Sequence, residues 1–425
     1  MRTILLRSGD GRCWLAALLA LSLVLGAATA AAAADFRYAE GDEVAFTIGQ
    51  LPAGYTVYWF SDRDGLLARG PDLVTASLSP GLHEITVLIY RTSTQRLVYR
   101  TSVTVEILPA HSAPAPAARA GGQRGPHAPG EFEPVRELLL GTPDAYMVED
   151  LYPAILDAVR GEVQTTIYVD NRYVQYELED LFYATGVDDA DYRYVVTPLD
   201  SIWIRDYGPL FTKDAAGQLE VVDLDYYPER PYDDRFPVTF ARERGLRRKP
   251  LRLAWEGGNF TSDGRGNLFA TDVLYTYNSG STGQIDAAVG QAFYGRLHVL
   301  EHMRNDGGTG HLDMFALMTG PRSFLLNRFP RGHINARRMD DHAARLEGMG
   351  YEVTRVDLAD TGFSSYTNGL IVNRVALVPT YGRSSTDQRA LAAYRAAGYH
   401  AVGIDSRRII QWSGAIHCVT MTVPR

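Results

Sequence analysis

The sequence predicts a two-part chain in which a small β-sandwich precedes an α/β or α+β domain. Three features carry this: short alternating segments at the start, a tract rich in Pro, Ala and Gly, and then strands interleaved with helices. Between residues 35 and 108, apolar and polar residues alternate over 44–48, 56–60, 83–90 and 97–107, with turn residues between. That is the period of strands with one buried face. Residues 109–130 hold Pro, Ala, Gly, Ser and Arg with almost no large apolar side chain and read as an extended linker. From about residue 131, strands are expected over 165–169, 192–196, 221–226, 251–255, 268–275, 351–358, 370–378 and 416–423. Helices are expected over 148–159, 176–183, 335–348 and 386–397, where apolar residues recur at three-to-four spacing. No internal repeat is legible by eye.

The evenly spaced strands of 35–108, with no helical stretch among them, suggest an immunoglobulin-like outline. Ahead of them, Arg2, Arg7 and Arg12 precede an apolar run over 14–25 and small residues over 26–34, the layout of a secretory signal peptide. The mature chain is therefore expected to be secreted or periplasmic. Cys13 precedes the apolar run instead of following it, which argues against a lipoprotein. The apolar run is short for a bilayer span, so membrane insertion is not expected. Residues 1–34 carry three Arg and one Asp, and without them the formal charge moves from −8 to −10. An acidic chain with no basic run argues against nucleic acid as a partner.

Cys418 is then the sole mature thiol, seven residues from the C-terminus in Gly414-Ala-Ile-His417-Cys418-Val-Thr420. In an exported protein a cysteine with no partner is either a chance buried hydrophobe or a nucleophile. Three polar clusters lie upstream. Trp203-Ile-Arg205-Asp206-Tyr-Gly-Pro209 reads as a strand end entering a turn, and Trp255-Glu256-Gly257-Gly258-Asn259 as a tight turn after a strand. Gly310-His311-Leu-Asp313-Met-Phe315, taken as a strand, puts His311 and Asp313 on one face. Each alone has a plain structural reading, such as an ion pair, a cap or a core hydrogen bond. His298 and His302 have the spacing of a helical metal pair, but their neighbours look like strand, so no metal and no cofactor is expected.

In this order, the Trp203-x-Arg205-Asp206, Glu256-Gly-Gly-Asn, Gly310-His311-x-Asp313 and Ile-His417-Cys418 motifs resemble the agmatine deiminase and bacterial-type peptidylarginine deiminase family. Tyr366-Thr-Asn368-Gly, Val378-Pro-Thr-Tyr381-Gly382 and Val402-Gly-Ile-Asp405 agree with it. The resemblance covers the second part of the chain and none of the first. It implies a five-bladed pentein propeller of ββαβ-type repeats and an enzyme hydrolysing the C–N bond of a guanidino group. By the same resemblance Cys418 is the nucleophile, Asp206 and Asp313 grip the guanidinium, His311 is the general acid/base and Glu256 orients it. Trp203, Arg230 and Asn368 are implied to contact substrate. A poorly electrophilic guanidinium carbon needs carboxylates to hold the planar cation and a nucleophile stronger than water.

The partner expected is a small guanidino compound or an arginine-containing peptide. The export signal and Tyr226-Tyr-Pro-Glu-Arg230-Pro231, similar to the segment that meets an α-carboxylate in the peptidylarginine branch, favour arginine or peptidyl-arginine, converted to citrulline. Pro228 stands where that branch has a first arginine, and the Trp-Gly-Gly-Lys-like segment of agmatine deiminases is absent. Agmatine remains the alternative, with amidino transfer or a non-catalytic binding role behind it. Ala415 replaces the second glycine usual before Ile-His-Cys, a methyl expected to narrow the channel.

Overall fold

The computed structural model describes residues 2–4, 21–23, 36–39, 44–48, 54–92, 96–108, 125–187, 192–360 and 362–425. The expected signal peptide thus lies almost wholly outside the described residues. The chain divides into two compact units, Met1–Ala117 and Ala118–Arg425.

In the first unit a five-stranded sheet runs in the order Phe36–Ala39, Arg96–Leu108, Gly81–Arg91, Tyr55–Ser61, Gly65–Arg69, antiparallel except for the first pair. A smaller antiparallel sheet holds Val44–Thr47 and Asp72–Thr75, extended by Leu21–Leu23 and Arg2–Ile4. Alternate residues His83, Ile85, Val87 and Ile89 are buried, as period-two patterning dictates. Phe46 of the small sheet stacks on Trp59 of the large one at 6.2 Å, inside a core shared by both.

The second unit is built from one motif used repeatedly. An antiparallel strand pair is followed by a helix and a strand that returns parallel to the second. Leu210–Lys213, Leu219–Asp225, helix Pro231–Glu243 and Arg247–Ala254 form one such ββαβ unit. Three more follow, beginning at Thr261–Ser262, Ala316–Gly320 and Leu370–Val372. In the remaining sheet Val135–Thr142, Gln164–Val169 and Tyr192–Val196 are parallel, and the last strand of the chain, Thr420–Pro424, supplies the antiparallel partner of Val135–Thr142. The repeat that the sequence hides is therefore plain in the topology. It escapes the eye because buried strands and amphipathic helices need only a pattern of apolar positions, which many residue choices satisfy.

The fold differs from the expected elements at informative places. His311 and Asp313 do not lie on a strand: His311 caps a single 3-10 turn, Leu312–Met314, entered from Gly310 at φ +69°. Residues 370–378 are two strands reversing at Asn373, which adopts φ +53°. The segment 268–275 stops as a strand at Thr271 and turns into the short helix Val273–Thr276. The final strand starts only at Thr420, leaving Cys418 in the turn before it. The end of the expected linker is part of the second unit: His127 pairs with Lys213, and Ala128 is buried and accepts the Ser262 hydroxyl through its carbonyl. His298 is on the strand Arg296–Leu300 against Asn267, whereas His302 bonds Asp272, so the two do not converge. Among the described residues no helix is long and apolar enough to cross a membrane.

Candidate active site

The four ββαβ units and the remaining sheet, whose antiparallel pair begins with Thr420–Pro424, each place a polar side chain in the link entering that first strand. Asp206 precedes Leu210, Glu256 precedes Thr261, Asp313 precedes Ala316, Asn368 precedes Leu370 and Cys418 precedes Thr420. These links are tight turns or single helical turns, such as Ile204–Tyr207 and Gly257–Asn259, and several are tied together. The Arg205 N–H donates to the Cys418 carbonyl (3.2 Å), the Gly258 N–H to Asp206 Oδ1 (3.1 Å) and the His417 N–H to the Asn368 carbonyl (3.1 Å).

The side chains converge accordingly. Cys418 Sγ lies 3.6 Å from Asp313 Oδ2 and accepts from Asn368 Nδ2 at 3.2 Å. His311 Nε2 meets Glu256 Oε2 at 3.0 Å, and its Nδ1 lies 3.6 Å from Asp206 Oδ1. Asp313 Oδ1 and His311 Nδ1 are buried without a hydrogen-bond partner among the described residues. Buried polar atoms are rarely left so. Gly258 is required at the centre: a Cβ there would stand 2.6 Å from Asp206 Oδ1, 2.7 Å from His311 Nδ1 and 3.0 Å from Asp313 Oδ2.

Electrostatics follow from three carboxylates around one buried imidazole. Burial, then Glu256 and Asp313, push Asp206 up to about 7 although His311 pulls the other way. Burial disfavours the His311 cation, yet Glu256 and Asp206 hold it protonated, to about 10. Glu256 is kept below the usual carboxylate range, against its burial, by His311 and a hydrogen bond with Tyr227. Burial raises the Cys418 thiol well above its ordinary value, and the Asp313 and Asp206 charges raise it further. With only these groups present, Cys418 is a neutral thiol.

A cavity of about 270 Å³ is lined by Asp206, Glu256, His311 and Cys418, by Trp203 and by Arg230 with its tyrosine neighbours. Arg230 stacks on Tyr227 (5.3 Å to the ring centre) and Tyr226 (6.0 Å) and donates to the Tyr226 hydroxyl at 3.0 Å. Two of the nearby acids are engaged elsewhere, Asp234 accepting from the Tyr226 N–H and Asp233 from Ser201 and the Asp200 N–H, while Glu229 lines the same cavity. Asn368 is not a cavity residue. It is fully buried and holds the cysteine turn, its Oδ1 accepting the Ala415 N–H at 2.9 Å. Ala415 is likewise fully buried in an apolar cluster, so its methyl narrows nothing.

Sequence reasoning missed the layer behind Asp313. His417 Nδ1 meets Asp313 Oδ2 at 2.8 Å, His417 Nε2 meets Glu131 Oε2 at 2.9 Å, and Glu131 pairs with Arg205. His417 was visible beside the cysteine, whereas Glu131 had no signal. It follows a structureless-looking tract and lies 74 positions before its arginine partner.

Fold and site together define a deiminase-type hydrolase acting on the C–N bonds of amidines. More particularly, residues 127–424 match the Porphyromonas-type peptidyl-arginine deiminase family, and the chain belongs to that family. Among curated relatives, the agmatine deiminase of Ectopseudomonas mendocina is 25% identical over 292 residues, covering 56% of this chain and 78% of the relative. A putative agmatine deiminase of Vibrio parahaemolyticus is 22% identical over 360 residues, covering 71% and 98%. Among solved structures, the C. jejuni agmatine deiminase aligns with a TM-score of 0.62 at 17% identity, covering 71% of this chain and 96% of that one. A putative arginine deiminase from Porphyromonas gingivalis aligns at 0.60 and 21%, covering 71% and 98%. These similarities show a shared mixed α/β fold of ββαβ-like units.

Proposed function

We propose that the chain hydrolyses a terminal guanidinium to a ureido group and ammonia through a covalent adduct on Cys418. The observation that carries this is the Cys418 thiol, which lines one cavity with Asp206, Glu256 and His311 and has the buried Asp313 carboxylate 3.6 Å behind it. The guanidinium lies between Asp206 and Asp313, offering paired N–H donors to each. Burial raises the thiol most, and the guanidinium offsets the Asp313 and Asp206 charges that raise it further, so bound substrate favours loss of the Cys418 proton to solvent. The sulfur attacks the central carbon, forming a C–S bond and a tetrahedral adduct. His311 gives its proton to the departing nitrogen, ammonia leaves, and a thiouronium ester remains. Neutral His311 then takes a proton from water as its oxygen attacks the same carbon, and the C–S bond breaks to release the ureido product and restore the thiol. Glu256 holds the imidazole throughout. We read the four ββαβ units and the remaining sheet as the five blades of a ring with this cavity at its centre, and the chain as exported.

The names of the relatives put agmatine first among substrates, ahead of the arginine or peptidyl-arginine expected above. One observation favours the second reading: Arg230 reaches the cavity with its guanidinium against tyrosines instead of carboxylates, where a substrate carboxylate would complete it. Ureido-product assays on agmatine, free arginine and a C-terminal arginine peptide, side by side, decide between them. If the carboxylate reading holds, Arg230→Ala raises KM for the arginine substrates by the equivalent of about 1.5–3 kcal/mol and leaves agmatine nearly unaffected. Faster turnover of agmatine by the wild type, with both substrates insensitive to Arg230→Ala, removes it. Cys418→Ser abolishes turnover in either case, and a serine variant near wild-type rate would overturn the covalent route.

A further inference from the structure

We propose that His417, clamped between Glu131 and Asp313, is a positioning residue that acts as a permanent buried imidazolium and fixes the orientation of the Asp313 carboxylate against the Cys418 thiol. The inference rests on the deiminase reading above and deepens it. Both ring nitrogens of His417 stand against carboxylate oxygens, Asp313 Oδ2 at 2.8 Å and Glu131 Oε2 at 2.9 Å, and the residue is only 2% exposed. An ionised carboxylate only accepts hydrogen bonds. A neutral imidazole would therefore leave a lone pair facing an anion on one side, and only the doubly protonated ring satisfies both contacts. The groups facing it are Glu131, Asp313, the adjoining Cys418, and Arg205, whose Nε donates to the His417 carbonyl at 3.4 Å.

The result is a line of alternating charge, Arg205, Glu131, His417, Asp313, ending at the site. Arg205 and His417 in turn hold Glu131 down at about 2 despite its burial. His417 thus holds Oδ2, the oxygen 3.6 Å from Cys418 Sγ, while Oδ1 lacks a partner among the described residues. Asp206 has no such cation behind it, only the Gly258 N–H and the shared His311. The two carboxylates are therefore unequal: Asp313 has the His417 imidazole against it, whereas burial pushes Asp206 up to about 7.

Nitrogen-15 NMR of the histidine rings in the intact protein tests the charge directly and needs no turnover. Two doubly protonated rings are expected at pH 8, His311 and His417, one of which vanishes in His417→Asn and titrates at lower pH in Glu131→Gln. A single doubly protonated ring in the wild type at pH 8 overturns the proposal even if neither variant folds. Kinetics on whichever of agmatine or arginine the wild type turns over supply the second readout. His417→Asn keeps an amide donor to Asp313 but removes a positive charge from the site, so the acid limb of kcat/KM, which Asp206 sets, should move up by about one pH unit. An unmoved limb means that His417 only packs. Failure of the wild type on every guanidine, with the NMR result intact, would instead sink the deiminase reading.

Discussion

Asp206 shows how the site trades stability for chemistry. A carboxyl whose folded pKa is raised to about 7 costs the folded chain nothing below the unfolded value near pH 4. The cost grows as pH rises and is complete above 7, on the order of 4 kcal/mol for a shift of this size. Asp206→Asn should therefore raise the thermal midpoint at pH 8, with the gain fading toward pH 4.5, while turnover falls by the equivalent of about 2–5 kcal/mol because one arm of a buried clamp is lost. Unfolding curves at the two pH values check the first part and steady-state kinetics the second. A variant destabilised at pH 8 would mean that Asp206 is not strained in the free protein. Gly258→Ala makes the complementary case. Its methyl would crowd Asp206, His311 and Asp313 at once, and misplacing such groups by about 1 Å costs roughly 100-fold in rate. A variant with unaltered kcat/KM would show that the link moves aside. Cys418, Asp206, Glu256, His311 and Asp313 were all legible because chemistry fixes their identity, and they do meet. Glu131 was not, since nothing local marks a carboxylate whose partners are brought to it only by the fold.

At the scale of elements, strands and helices with clear periodicity were legible, and those whose sequence argues against their structure were not. Helix Pro231–Glu243 begins with a proline, carries two aspartates in its first turn and has Pro237 inside it. Helix Thr282–Phe293 contains Gly283 and Gly290 and a weak apolar stripe, although the Ser281–Gln284 capping box that starts it was a readable signal. The short links that carry the site were misread for a related reason: a single helical turn bears too few residues to show a period, so the His311–Asp313 segment passed for a strand. What binds one link to the next is side-chain hydrogen bonding, and Asn368 is the clearest instance. Asn368→Ala would orphan the buried Ala415 N–H and remove the Cys418 contact. A stability loss of about 1–3 kcal/mol in denaturant unfolding is expected, together with a lower kcat because the thiol is no longer held. Loss of stability with an unchanged kcat would confine Asn368 to the scaffold.

For the whole molecule the question is where the catalytic unit begins. Every residue assigned a role here, from Glu131 to Cys418, lies in the second compact unit. The tract over 109–130 suggested a start at 131, but His127 pairs with Lys213, Ala128 is buried against the unit's core and Ser262, and Glu131 reaches Arg205 and His417. Composition misled here because a chain rich in small residues can still be ordered by backbone pairing and by one well-placed carboxylate. Two truncations separate the possibilities. A protein starting at Ala118 should match the full chain in kcat/KM on small guanidines. One starting at Phe132 loses Glu131, which leaves the buried Arg205 without its carboxylate and His417 with only one of its two, a change that costs about 3–5 kcal/mol. It should be poorly folded or inactive, read by its melting transition and by the same assay. Equal activity of the two would remove Glu131 from the catalytic architecture. A large loss already at Ala118, with a normal melting transition, would instead give the first unit a part in the site.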